Sequence, residues 1–139
     1  MVKRLTLNEV KYVAHSLAKK RMDWDEPIPD FSTRYPHKLE SCIATPFITY
    51  AKRSLYRGLE QKAAILFYLL VKNHPFQNGN KRIAVTTLLV FLAKNKKWLE
   101  VGTQEFYNFA VWVAESPAAL KADTVKAVAS FIRQNIKLF

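Results

Sequence analysis

Cysteine occurs once in this 139-residue chain, at Cys42, so no internal disulfide can form. Nothing in the sequence therefore calls for an oxidising compartment. Glycine is almost as scarce, with three residues, which argues against a β-rich fold of tight turns and favours helices. Long apolar runs are missing too. The longest uninterrupted one, 63–71, falls far short of the ~18 residues that would suggest a bilayer span. The first ten residues carry Lys3 and Arg4 but no apolar core of the signal-peptide kind. These absences lead us to expect a cytoplasmic protein with no membrane association. Acids are few: eleven against twenty-two cations, a formal net charge of +11. Such a field speeds encounters with nucleic acid, anionic lipid or an acidic protein without choosing among them, and solubility explains it equally well. The cations fall in short clusters at 19–21, 52–57 and 94–97, with no long basic tail, so a nucleic acid partner is not favoured.

What is present is apolar side chain. Half the residues are hydrophobic and 13% are aromatic, enough for a packed globule, and the length suits one domain over 1–139. Thr6 and Glu9 have capping-box spacing, and Leu7, Val10, Val13, Ala14, Leu17 and Ala18 follow on one face, which predicts a helix to about Lys20. Residues 22–36 hold three prolines and read as a loop. A short helix is expected over 38–44, stopped by Pro46. Phe47, Ile48, Thr49 and Tyr50 are β-formers without helical period, so 45–58 reads as an extended flap or hairpin. Residues 60–72 and 83–93 are apolar on nearly every face and read as two buried helices. Thr103 opens a further helix with Phe106, Phe109, Ala110 and Val113 inward. Ser116 and Pro117 look like the N-cap and first residue of a last helix that turns Val125, Val128, Ala129, Ile132 and Ile136 inward. The fold class expected is all-α. No internal repeat or low-complexity segment is present.

The stretch joining the two buried helices, Asn73-His74-Pro75-Phe76-Gln77-Asn78-Gly79-Asn80-Lys81-Arg82, carries the chemistry. Helices apolar all round must sit mid-domain, so their connection emerges from a rigid frame, where sites are commonly built. Gly79 permits backbone conformations in which successive N–H groups converge on an anion, and the helix starting near Asn80 adds unpaired donors and a partial positive charge. Lys81 and Arg82 lie in that first turn, where cations are unfavourable unless something anionic is bound. His74 places a group that titrates near neutrality at the loop's other end, suited to taking a hydroxyl proton. Each residue also has a plain structural reading. Phe76 is a core anchor, Asn73, Gln77 and Asn78 are turn formers, and a lone histidine is more often structural than catalytic. His15 and His37 have no comparable surroundings and read as structural or surface residues.

The nine residues from His74 to Arg82, followed by an apolar helix ending in Phe91-Leu92-Ala93-Lys94-Asn95, resemble the signature of Fic/Doc proteins, H-x-F-x-[DE]-G-N-G-R-x-x-R. Leu39-Glu40-Ser41-Cys42-Ile43-Ala44-Thr45-Pro46 and Gln61-Lys62-Ala63-Ala64 resemble the family's flanking helices, so the likeness covers roughly 39–100. It implies a Fic/Doc-type helical bundle that transfers a phosphate-containing group from ATP or another nucleoside triphosphate to a protein hydroxyl. By the same likeness His74 is the general base, Phe76 the loop anchor, Gly79 and Asn80 the lining of the anion pocket, and Arg82 a phosphate ligand. The segment from Thr45 to Arg57 is then the flap that receives the target as an added strand.

Three departures follow. Lys81 replaces the second glycine, as in the Doc (death-on-curing) branch, which resembles a kinase acting on a threonine of elongation factor Tu. Val85 stands where AMP-transferring members keep a second arginine. Asn78 replaces the acid that holds Mg2+, and an amide oxygen is a weaker ligand for a hard cation. No glutamate has the surroundings of the family's inhibitory helix, so restraint would fall to a separate antitoxin. The expected function is thus a Doc-like toxin. The alternatives are AMP transfer, or a catalytically dead Fic-fold module that binds RNA or protein.

Overall fold

Thr6 and Glu9 cap the first helix reciprocally. The Thr6 hydroxyl accepts from the Glu9 N–H at 3.1 Å, and the Thr6 N–H donates to Glu9 Oε1 at 2.8 Å. This computed structural model describes residues 1–21 and 27–139. Helix α1 (Leu7–Glu9) runs through a π-helical stretch, Val10–Ala14, into α2 (His15–Arg21). The wider π turn shifts the inward stripe by one position. Val10, Ala14, His15 and Ala18 are therefore buried, while Val13, expected inside, is 43% exposed. Of the expected 22–36 loop, 22–26 lie outside the described residues. The rest contains a 3-10 turn, Phe31–Thr33, and ends at α3 (Pro36–Ala44), which begins two residues earlier than expected because Pro36 fits a helix N1 position.

After a second 3-10 turn, Thr45–Phe47, the flap forms as a hairpin of β1 (Thr49–Tyr50) and β2 (Arg53–Ser54). Its two-residue turn places Ala51 and Lys52 at φ 51 and 66, the left-handed pair that matches strand twist. Helices α4 (Gly58–Lys72) and α5 (Asn80–Lys94) pack together at the centre, each with ten buried residues. Their burial follows from the apolar runs already noted. Next come β3 (Lys97–Leu99), α6 (Thr103–Glu115), α7 (Lys121–Asn135) and β4 (Ile136–Leu138). Strand β4 pairs antiparallel with β3, matching Trp98 to Lys137, an interaction that the basic 94–97 cluster did not suggest.

The Ser116-Pro117 expectation is corrected. Ser116 ends α6, its hydroxyl donating to the Val113 carbonyl at 2.5 Å, and α7 begins only at Lys121, after a 3-10 turn at Ala118–Leu120. Lys72 reaches from the end of α4 to the Ser116 carbonyl at 2.6 Å, tying α6 to the central pair. Phe109 and Phe131 stack 4.0 Å apart between α6 and α7. The architecture is all-α, with two short antiparallel ribbons. Among the described residues no helix is long and apolar enough to cross a membrane.

Candidate functional site

Two buried helices fix the ends of the connecting loop, and the loop's own side chains fix the middle. Asn73 ends α4, its N–H donating to the Leu69 carbonyl at 2.9 Å. His74 then takes φ 48, a left-handed conformation uncommon outside glycine and asparagine. Its side chain is exposed. Phe76 is 1% exposed, its ring 5.8 Å from both His15 and Phe31. Asn80, at the start of α5, grips the Phe76 backbone twice. Its Oδ1 accepts from the Phe76 N–H at 2.9 Å and its Nδ2 donates to the Phe76 carbonyl at 2.8 Å. The same Nδ2 lies 3.5 Å from His74 Nδ1, too long to fix the imidazole's tautomer.

Gly79 caps α5 in the left-handed region at φ 71 and has no side chain to offer the helix. The Ile83 N–H finds the Gly79 carbonyl at 3.0 Å, while the N–H groups ahead of it form the positive end of a fifteen-residue helix. Lys81 is half-buried in this turn and Arg82 is 3% exposed. The structure thus brings His74, Phe76, Asn78, Gly79, Asn80, Lys81 and Arg82 into one turn-and-helix unit. Asn80 uses its side chain within the loop, so what it can present to a ligand is mainly its backbone N–H.

A strap over 27–35, missed at the level of sequence, holds this loop from outside. Ile28 sits so close to Gly79 that a Cβ there would lie 2.4 Å from Ile28 Cδ1. Phe31 packs on Phe76, and the Tyr35 N–H donates to the Pro75 carbonyl at 2.9 Å. His15 is 5% exposed and hydrogen-bonded through Nε2 to the Pro29 carbonyl at 2.9 Å, which makes it a structural brace. Burial, chiefly, holds its imidazole below the ordinary value. Pro27 and Pro29 mark the strap as a loop, but no periodic signal shows where a loop will lie.

Against this geometry, the family model described as the Fic/DOC family matches residues 4–92. The chain belongs to the Fic/DOC family. No curated protein and no solved structure matches it. The Fic/DOC match runs from the first helix through α5 and so includes every element that holds the loop. Proteins of this family generally transfer a nucleotide-derived group, using a nucleoside triphosphate and often Mg2+. The donors here fit the polyphosphate: an uncapped helix N-terminus, a glycine turn and the half-buried Lys81, with no carboxylate anywhere in 73–82. They do not fit a protein-held Mg2+. Asn78 is a neutral amide, and the described residues contain no group of three or more His, Cys, Asp or Glu placed to hold a metal.

Proposed function

We propose that this Fic/DOC protein transfers the terminal phosphoryl group of ATP, or another nucleoside triphosphate, to a Ser or Thr hydroxyl of a target protein. The observation that carries the reading is the αL turn at Gly79, which opens α5 toward an anion beside an exposed His74. In the reaction the target oxygen attacks the γ-phosphorus and its proton passes to His74 Nε2. The bond from that phosphorus to the β-phosphate bridging oxygen breaks, and the diphosphate leaves with the electron pair. The amides from Asn80 onward and Lys81 offset the charge on the transferring group, the kind of electrostatic stabilisation that dominates phosphoryl transfer.

The flap supplies a receptor for the target chain. Thr49 and Ser54 form the pair whose backbone groups turn outward, because Leu55 already donates to the Ile48 carbonyl at 3.2 Å and Tyr50 faces Arg53. An extended segment can add at either edge. Phosphoryl transfer is preferred to AMP transfer because Val85, 2% exposed, puts an apolar side chain where AMP-transferring relatives of this motif carry a cation. Elongation factor Tu is the first target to try, and a separate antitoxin is the restraint we expect.

The test uses ATP labelled at either the α- or the γ-phosphate, with magnesium and elongation factor Tu, for the wild-type protein and His74→Ala. Label arriving from the γ-position, and falling at least about a hundredfold in the variant, is the expected result. Arrival from the α-position indicates AMP transfer instead. Equal labelling by both proteins removes His74 from the chemistry.

A further inference from the structure

The flap leads into a cleft of its own. Tyr56, two residues past β2, forms one wall of a space of about 370 Å³ between the start of α4 and α7, toward the lower end of the ~300–1,000 Å³ range of binding clefts. Ala64, Val125 and Ala129 give it an aliphatic lining, and Lys126 and Arg133, both exposed, add cations. Arg133 Nε lies 3.2 Å from Glu60 Oε2 in an exposed pair, a kind that contributes little stability, so an incoming carboxylate can join or replace Glu60. The flap side is cationic as well: Lys52, Arg53 and Arg57 are exposed, and residues 45–59 contain no acid. The wall is firmly held. Lys62, 7% exposed, donates through Nζ to the Tyr56 carbonyl and lies over the Phe47 ring, 5.6 Å from its centroid. The Arg57 N–H donates to Gln61 Oε1 at 3.0 Å.

We infer that this cleft docks an acidic, extended segment of the target protein, continuing from a strand added at the edge of β2. The inference rests on the reading of the flap as target receptor and deepens it, choosing the edge of β2 over that of β1. A chain paired with Ser54 advances ~3.3 Å per residue, so its next two or three residues come opposite Tyr56 and enter the cleft. Successive side chains of such a chain face opposite ways. Aliphatic ones can therefore settle on Ala64, Val125 and Ala129 while carboxylates between them meet Lys126 and Arg133. A single-stranded nucleic acid would want stacking surfaces for successive bases, and Tyr56 is the one aromatic side chain among the described residues of the cleft, so a peptide fits better.

Fluorescence anisotropy with labelled peptides of equal length tests this, each peptide carrying one threonine beside alternating Asp-Val, Ser-Val or Lys-Val, together with a labelled oligouridylate. The wild type should bind the Asp-Val peptide about tenfold tighter than the Ser-Val peptide, and the Lys-Val peptide more weakly than either. Lys126→Ala combined with Arg133→Ala should lose roughly that tenfold preference at an unchanged melting temperature, since both side chains are exposed. Lys137→Ala, which removes an exposed cation on β4 outside the cleft, should bind as wild type does, and so should His74→Ala. Equal affinity for the Asp-Val and Ser-Val peptides overturns the inference. So does a loss that Lys137→Ala shares, which would mark the general field of the protein, and so does tighter binding of the oligouridylate. Selective binding of the Asp-Val peptide with no label reaching its threonine from γ-labelled ATP supports the cleft and counts against the transferase reading, so the two fail separately.

Discussion

His74 is where backbone and chemistry are in tension. Its φ of 48 costs on the order of 1 kcal/mol or more for a side chain with a Cβ, and glycine would occupy it freely. His74→Gly should therefore lose transfer activity while melting at the same temperature or a few degrees higher. A clear drop in melting temperature would mean that the imidazole holds the fold, not the reaction. His15 gives a prediction of a different kind. Burial is the main force holding its pKa down, and Lys19 adds to it, while the Pro29 carbonyl and Asp30 act in the opposite direction. The native state therefore favours the neutral ring, and the unfolded chain takes up a proton at higher pH. This contribution to stability is complete above the ordinary histidine value, roughly 6.5, and is lost as pH falls from there toward the depressed native value. Melting temperature followed from pH 7.5 to 5.5 should fall, and His15→Gln should flatten that part of the curve. Cys42 is inert by comparison: burial pushes its thiol up to about 12, so iodoacetamide should label it only on unfolding.

Among the elements, what could be read in advance was what short-range chemistry decides. The Thr6–Glu9 cap, the two buried helices and the flap hairpin all follow from neighbours within a few residues of one another. The failures have physical causes. Ser-Pro serves a helix start and a helix stop equally well, and at 116–117 the Ser116 hydroxyl bonds backward to Val113, so the stop prevails. The π turn at Val10–Ala14 moves His15 inward without changing composition or pattern. Strands β3 and β4 pair across some forty residues of sequence, and Lys97 and Lys137 hide their β character. The cap is open to a direct check. Thr6→Ala should cost about 1 kcal/mol, since the Glu9 N–H loses the hydroxyl that accepts from it. A chemical-denaturation midpoint unchanged within error would show that the Lys94–Glu9 ion pair at 2.7 Å, which ties this helix to α5, suffices by itself.

At the scale of the molecule, a buried pair of helices presents a loop, and a strap fastens it from outside. The turn of the loop was legible because a glycine between two apolar runs marks it, while the roles of its cations and imidazole are what we propose. The strap was not, because Ile28, Phe31 and Tyr35 reach the loop across forty or more residues of chain. What we propose reduces to one physical statement, that the N-terminus of α5 receives a polyphosphate beside His74. Amide chemical shifts of the 15N-labelled protein, recorded while ATP is added, test it most directly. The account predicts that the largest changes fall on the N–H groups of Gly79, Asn80, Lys81 and Arg82, with His74 following at the same ligand concentration. Shifts that leave those amides still and gather instead around the apolar groove of Leu17, Leu89 and Trp98 would contradict it.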